Sequence, residues 1–108
     1  MTNNQSYCLL WLTCGDSIEA NKIASALLKK GLIACARQIN LSSDFLWRGK
    51  VEHTNEVLLM MESADHLFRS VESEVKKLHS YDTFVLTSTE LINVSDKARI
   101  WLETELNG

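Results

Sequence analysis

An amphipathic helix, a glycine and an apolar strand follow one another between Asp16 and Ile39, and this unit constrains the fold more than any other stretch. Asp16 is a suitable N-cap, and the apolar side chains that follow it recur at helical spacing. Gly31 can adopt the left-handed conformation that ends many helices. The pattern therefore predicts a helix over residues 17–30 and a buried strand over residues 32–39 that packs against it.

The remaining segments predict a ferredoxin-like α+β fold, in which an antiparallel sheet of order β-α-β-β-α-β carries its helices on one face and a further helix is appended. Arg48, Gly49 and Lys50 mark a hairpin, after a polar turn at residues 40–44. Ser63 is expected to cap the second helix. The length of 108 residues suits one domain, expected over residues 1–108 with residues 1–6 as a disordered tail. The expected strands are 7–14, 32–39, 45–47, 51–61 and 84–89, and the expected helices are 17–30, 64–78 and 95–106.

The first strand is apolar on both of its faces. Alternation places one set of side chains on one face and a second set on the other, namely Cys8, Leu10, Leu12 and Cys14 against Tyr7, Leu9, Trp11 and Thr13. Helices on one face of a sheet leave the other face uncovered in a monomer, and large apolar patches are uncommon on soluble monomers. We therefore expect an oligomer whose sheets face one another. The alternative is that the appended helix covers this face through Trp101 and Leu102.

Charge, apolar runs and cysteine content limit the partners that the chain can have and the compartment in which it is expected. Eleven basic and fourteen acidic residues give a net charge of -3 without a basic block, so no nucleic-acid partner is expected. No apolar run is long enough for a membrane span, and the first six residues lack the features of a signal peptide. The three cysteines do not suggest a disulfide framework and fit a reducing compartment. A cytoplasmic protein without a membrane partner is therefore expected.

Six short motifs, each present once, follow one another along most of the chain. They are Thr13-Cys14, Gly31-Leu32-Ile33-Ala34-Cys35, Trp47-Arg48-Gly49-Lys50, Glu56-Val57-Leu58-Leu59, Lys77-Leu78-His79-Ser80-Tyr81 and Trp101-Leu102. Together they resemble the motifs of the CutA divalent-cation-tolerance family, over about residues 7–102. The resemblance implies a homotrimer with the architecture of the PII signalling proteins and clefts between its subunits. It also implies an association with copper and other divalent metals.

The sequence departs from the family pattern in two places. The family's His-Pro-Tyr-Glu-x-Pro-Glu segment stands here as His79-Ser80-Tyr81-Asp82-Thr83-Phe84-Val85, without the two prolines and the final carboxylate. Where the family commonly has a lysine after the apolar run of the third strand, this chain has Glu62. A cleft function that depends on that carboxylate or that lysine would therefore be altered in this chain.

Thiolate and imidazole suit copper and zinc, so cysteine and histidine supply the candidate metal ligands. The resemblance favours Cys35 and His79, followed by Cys14 and Asp82. Cys14 precedes the first helix, whose N-terminus would stabilise its thiolate. The alternatives are that Cys35 is a packed thiol in mid-strand and that His79 interacts with a helix dipole. No C-x-x-C spacing occurs, so any site must be assembled across strands or subunits.

Two functions agree with these features. The first is a trimeric cytoplasmic protein that binds copper or another divalent cation, not required for folding, and contributes to metal tolerance. The second is a PII-like trimeric scaffold that binds a small ligand or a partner protein at its intersubunit clefts. Enzyme activity is not expected, because His79, Ser80, Tyr81 and Asp82 are adjacent in one loop, whereas the members of a catalytic triad converge from separate segments.

Overall fold

Four strands and three helices follow one another along the chain in the predicted order. The computed structural model describes residues 5–107. Its elements are β1 (Tyr7–Cys14), α1 (Ser17–Lys29), β2 (Cys35–Trp47), β3 (Lys50–Ala64), α2 (Phe68–Leu78), β4 (Leu86–Glu90) and α3 (Asp96–Glu105). The strands form one antiparallel sheet in the order β2-β3-β1-β4, which confirms the ferredoxin-like α+β fold with an appended helix. Within the described part of the chain, no helix combines the length and the apolar composition that crossing a bilayer requires.

Local signals at both ends define α1 as the sequence predicts. The Asp16 carboxylate accepts a hydrogen bond of 2.8 Å from the backbone N–H of Glu19. At the other end, Gly31 has a φ of 66°. Its N–H donates to the carbonyl of Leu28, and the N–H of Leu32 donates to the carbonyl of Leu27. This pair of bonds satisfies carbonyls that the end of a helix would otherwise leave without partners.

The strand predicted over residues 32–39, the turn at residues 40–44 and the short strand at residues 45–47 are wrong as separate elements. A single strand, β2, runs from Cys35 to Trp47 and pairs with β3 along its whole length. The hairpin turns at Arg48 and Gly49, with φ values of 52° and 79°, as a two-residue turn of this kind requires. We call residues 41–56 the arm. The arm tolerates its polar residues because it extends past the helices, and the chain measures 52 Å along its longest axis.

The start of the second helix also differs from the prediction. Ser63 lies inside β3, where its buried hydroxyl donates a hydrogen bond of 2.7 Å to the carbonyl of Leu32. A 3-10 turn at Asp65–Leu67 follows, and α2 begins only at Phe68. Ser63 therefore fixes the segment before β2 against β3 and caps no helix.

Pleating divides the sheet into the two faces that the sequence predicts. The β1 side chains that face α1 and α2 are completely buried, namely Cys8, Leu10, Leu12 and Cys14. We call the opposite side the second face; its central apolar side chains are half-buried, namely Leu9, Trp11, Leu58 and Met60. Burial of the first set against the helices forms the core, at about 25 cal/mol for each Å² of apolar area removed from water. The second face has no such cover from α1 and α2.

The appended helix α3 covers only one end of the second face. The guanidinium of Arg99 lies 5.3 Å from the centre of the Tyr7 ring. Leu102 is buried and lines a small pocket together with Tyr7 and Ala64. Because Trp11 remains half-buried, α3 does not cover the whole face.

The described chain is fixed at both of its ends. The carbonyl of Ser6 accepts a hydrogen bond from the N–H of Asp65, and the N–H of Asn107 donates to the carbonyl of Gly31. The predicted disordered tail falls mostly on residues 1–4, which lie outside the described residues.

Replacing Gly31 by alanine is expected to lower the free energy of unfolding by about 1–2 kcal/mol, because a Cβ disfavours the left-handed conformation. The added Cβ would also lie 3.1 Å from the Asn107 side chain. Urea denaturation at a fixed protein concentration measures the loss. Gly49→Ala is the comparison variant: it carries the same backbone penalty at a positive φ, but its added Cβ would have no atom of the described residues within 4 Å, so any larger loss in Gly31→Ala measures the contact with Asn107. An unchanged stability in Gly31→Ala would contradict this account of the end of α1.

Candidate functional site

Three potential metal ligands meet at the end of β1, although they are distant in sequence. They are Cys14, Glu19 and His79, and one ligand atom from each lies within 4.8 Å of the others. Cys14 is the last residue of β1, Glu19 lies in the first turn of α1, and His79 follows α2 directly. We call these three residues the Cys14 cluster. The cluster combines Cys14 and His79, which the sequence analysis identifies as candidate ligands, with the carboxylate of Glu19, which the sequence analysis does not identify.

Hydrogen bonds determine which nitrogen of His79 carries a proton. Nε2 lies 2.8 Å from the carbonyl oxygen of Thr13 and must donate to it. Nδ1 accepts from the backbone N–H of Tyr81 at 3.0 Å. The ring is fully buried and stacks on Phe84 with ring centres 5.4 Å apart. Both ring nitrogens of His79 are therefore occupied by hydrogen bonds, with Nε2 protonated and the lone pair of Nδ1 directed at the N–H of Tyr81.

Glu19 connects the beginning of α1 to the loop after α2. Its Oε1 accepts from the N–H of Gly15 at 2.9 Å, and its Oε2 accepts from the N–H of Ser80 at 2.7 Å. Oε1 also lies 3.7 Å from Nδ1 of His79. Burial alone would raise the pKa of Glu19, but the hydrogen bonds from Ser80 and Gly15 outweigh it and lower the pKa. The spacing of Glu19 from Asp16 is explained by helix capping alone, which is why the sequence gives no signal of this second role.

The surroundings of Cys14 disfavour the thiolate that the N-terminus of α1 would stabilise. Burial raises the pKa of Cys14 to about 12, and the charges of Glu19, Glu56 and Asp16 act in the same direction. The dipole of α1 favours a thiolate, but three nearby carboxylates oppose it. Without a cation, this cysteine is therefore a poor nucleophile.

Cys35 and Asp82 lie apart from the Cys14 cluster. Cys35 is the first residue of β2, half-buried, rather than a packed thiol in mid-strand. It pairs with Glu62 of β3, whereas Cys14 pairs with Val57. These two partners are five residues apart along β3, a distance of about 17 Å along the strand. The two cysteines therefore cannot bind one ion within a chain. Asp82 is exposed and is not in the cluster.

An open pocket of about 540 Å³ adjoins the cluster at the base of the arm. It is lined by the start of α1 and by facing segments of β2 and β3, namely Gly15, Asp16, Ser17, Asn40, Leu41, Asn55, Glu56 and Val57. Glu56 is only 8% exposed. The hydroxyl of Tyr81 donates to Oε2 of Glu56 at 2.9 Å. Tyr81 therefore contacts His79 through its backbone and the pocket wall through its side chain.

Comparison with known proteins places this arrangement in a family. A family model described as the CutA1 divalent ion tolerance protein matches residues 8–105. The chain belongs to the CutA1 family. The divalent-cation tolerance protein CutA of Archaeoglobus fulgidus is 36% identical over 74 residues, which are 68% of this chain and 72% of that protein. The CutA protein of Pyrococcus horikoshii is 29% identical over 97 residues, which are 90% of this chain and 95% of that protein.

Solved CutA structures have the same fold. The periplasmic divalent cation tolerance protein CutA of Archaeoglobus fulgidus superposes with a TM-score of 0.91 at 28% identity, covering 94% of this chain and 99% of that chain. CutA1 of Pyrococcus horikoshii gives a TM-score of 0.88 at 27% identity over the same shares of the two chains. Family membership supports a general link to divalent-cation tolerance.

The donors of the Cys14 cluster fit a transition metal ion. A thiolate, an imidazole nitrogen and a carboxylate oxygen are the ligands that bind Zn²⁺ in proteins. Calcium and magnesium prefer sites built from oxygen atoms, which this cluster does not offer. Cys14, Glu19 and His79 could therefore hold an ion of the zinc type.

Substituting Glu19 by glutamine is expected to lower the free energy of unfolding at pH 7 by about 1.5–3 kcal/mol, the range for hydrogen bonds to a charged group. Since the pKa of Glu19 is lowered in the folded chain, its contribution is present above the ordinary value of 4.5 and is lost as the pH falls below it. The difference between wild type and Glu19→Gln should therefore shrink in acid, as measured by urea denaturation with a chelator present.

Glu72→Gln is the control for this experiment, because Glu72 is 42% exposed and forms an ion pair with Arg69 on the surface of α2. It should change stability little at any pH. A stability difference for Glu19→Gln that stays constant from pH 7 to acid would contradict the role of Glu19 as a buried carboxylate acceptor.

Proposed function

We propose that this chain is a trimeric cytoplasmic protein that binds divalent cations, copper among them, and thereby contributes to metal tolerance. The Cys14 cluster is the observation that carries the proposal, because three ligand types suited to such ions lie within 4.8 Å of one another. The metal is cargo in this proposal and takes no part in folding, since apolar side chains form the core. The protein acts as a binding protein and not as an enzyme.

Ligand chemistry extends the proposal to copper. Thiolate and imidazole bind copper as well as zinc, and copper(II) forms the most stable complexes among the divalent ions of its series. All three cysteines are free thiols, and two of them are buried. Free thiols persist in a reducing compartment, which supports a cytoplasmic location.

The trimer in this proposal is supported by the surface that one chain leaves uncovered. The second face is apolar along β1 and β3, and the arm continues it with exposed Phe45 and Trp47. On the opposite side of the arm, Leu46 and Val51 are 74% and 75% exposed. Apolar area of this extent is typical of an interface, and a copy of the same chain provides a matching face.

A PII-like scaffold is the second candidate, and the pocket at the base of the arm favours it. The pocket combines amide side chains of Asn40 and Asn55 with the apolar Leu41 and the buried carboxylate of Glu56. In one chain this pocket is a shallow, open depression of about 540 Å³. In such a scaffold the pocket, completed by a neighbouring subunit, would bind a small ligand or a partner protein.

Calorimetric titration with Zn²⁺ and, without oxygen, with Cu⁺ tests the metal-binding proposal. Cys14→Ala and His79→Ala are each expected to weaken binding at least about tenfold, because each removes a ligand. Cys35→Ala and Asp82→Ala are the matched controls and should bind as the wild type does. Equal and weak binding by all five proteins would contradict the site. If metal binding is absent while a metabolite from a test panel raises the melting temperature, the scaffold is favoured instead.

Light scattering at micromolar concentration tests the trimer. The wild type should have a mass near three times that of the 12.2 kDa chain. Met60→Glu should dissociate it, because it places a charge at the centre of the second face. Ile18→Glu is the control, since Ile18 is 78% exposed on α1, away from that face. A wild-type mass near 12.2 kDa would refute the trimer.

A further inference from the structure

We propose that the pocket at the base of the arm binds a small organic cation, an alkylammonium ion, and that Oε1 of Glu56 accepts a hydrogen bond from its ammonium group. This inference deepens the scaffold candidate, on which it rests, by naming the chemical class of the ligand. It uses the acceptor oxygens of the pocket and requires no metal at the Cys14 cluster.

The carboxylate of Glu56 has one oxygen engaged and one oxygen free. Glu56 lines the pocket and is only 8% exposed. Its Oε2 accepts a hydrogen bond of 2.9 Å from the hydroxyl of Tyr81, whereas its Oε1 has no partner among residues 5–107. Within these residues, every side-chain oxygen or nitrogen that is shielded from solvent has a partner, so Oε1 is open to solvent at the pocket. A nearly buried carboxylate with a free oxygen favours a ligand that donates a hydrogen bond to it.

The charges around the pocket favour a cation over an anion. Asp16 is the other charged side chain of the lining, and the lining residues include no lysine, arginine or histidine within the described chain. The start of α1 brings the positive end of a helix dipole, but Asp16 caps this helix and Glu19 lies in its first turn. The field in the pocket is therefore negative, which attracts a positively charged ligand.

The proton between Tyr81 and Glu56 stays on Tyr81. Burial, and after it the hydrogen bond to Glu56 and the charge of Glu56, raise the pKa of Tyr81 to about 12. Tyr81 therefore remains the donor at neutral pH, and it holds Oε2 of Glu56 away from any ligand. Oε1 is the oxygen of this carboxylate that a ligand can reach.

The free oxygens select an ammonium group over a guanidinium group. Like Glu56, Asp16 has one oxygen engaged, because its Oδ1 accepts a hydrogen bond of 2.8 Å from the N–H of Glu19. A guanidinium binds a carboxylate best through two parallel hydrogen bonds to both of its oxygens. An ammonium group is a compact charge with three donors, and each donor can bond to a single oxygen. The pocket offers single oxygens on separate carboxylates and therefore suits the ammonium group.

The remaining lining suits the rest of an alkylammonium ion. It provides two amide side chains, whose carbonyl oxygens are further acceptors, and two apolar side chains that can contact an alkyl chain, namely Asn40, Asn55, Leu41 and Val57. A bare Ca²⁺ or Mg²⁺ ion fits less well, because such ions require about six or more oxygen ligands at short distances. Neither Glu56 nor Asp16 belongs to the group of three potential metal ligands found in the described chain. The open depression of about 540 Å³ has room for a ligand of several carbon atoms.

Calorimetric titration of the full chain, freed of metal by a chelator and then dialysed, tests the inference with three probes that share one alkyl chain. Butylamine should bind, butylguanidine should bind more weakly, and butyrate should not bind. Glu56→Gln should weaken butylamine binding about tenfold or more, because it removes the charge but keeps an oxygen to accept from Tyr81. Asp16→Asn, which retains a capping side chain, should weaken binding in the same direction. Glu52→Gln is the matched control, since Glu52 is exposed on the arm and does not line the pocket.

The results distinguish a wrong ligand class from a wrong function. Binding of butyrate without butylamine would overturn the cation and leave the scaffold standing. Equal affinities for butylamine and butylguanidine would overturn the selection by single oxygens, and equal butylamine affinities in the wild type and Glu56→Gln would overturn the role of Glu56. If neither these probes nor a panel of metabolites binds the wild type, the scaffold candidate falls together with this inference. Because the three probes are compared on the wild type, the ligand class is decided without any variant.

Discussion

The antiparallel pairing of β1 with β3 on one side and β4 on the other is the constraint on which the rest of the molecule depends. Backbone bonds fix the register, and the register fixes which side chains lie under α1 and α2. A shift of one residue would exchange Leu10 and Leu12 in the core for Leu9 and Trp11 on the second face. The sequence carries apolar residues on both faces, so burial alone cannot select the register.

Strand β1 also positions the candidate site, which lies at the end of the strand where its pairing with β3 stops. Beyond Cys14 the chain enters α1, so the pairing of β1 with β3 stops there. The neighbouring strand β3 belongs to the arm at this point, and Glu56 lies beside the position that β1 leaves unpaired. His79 and Tyr81, in the loop after α2, occupy this position. The carboxylate of Glu19 holds the loop in place by accepting a hydrogen bond from the N–H of Ser80. The buried imidazole of His79 and the largely buried carboxylate of Glu19 thus join this loop to the ends of β1 and α1. The polar groups at this end of the sheet satisfy one another, which is the condition for burying them.

Sequence reasoning succeeded where the deciding interactions are local. α1 was predictable because Asp16, the apolar spacing and Gly31 act within a few residues of one another. β2 was not, because Ser42, Ser43 and Asp44 resemble a turn and are stabilised as a strand only by their partners in β3. The Cys14 cluster depends on contacts across 60 or more positions, and no local spacing encodes them. For Glu19, the helix-capping pattern gave a sufficient explanation and concealed the second role.

The charges around Cys14 have opposite consequences with and without a cation. Burial, and after it the charges of Glu19, Glu56 and Asp16, raise the pKa of Cys14 to about 12, which favours the uncharged thiol when no cation is bound. A dication reverses this preference, because the carboxylates that disfavour a thiolate attract the ion and the ion favours the thiolate. The cluster is therefore stable without metal and suited to it, and the cost of binding lies in the bonds that must be given up.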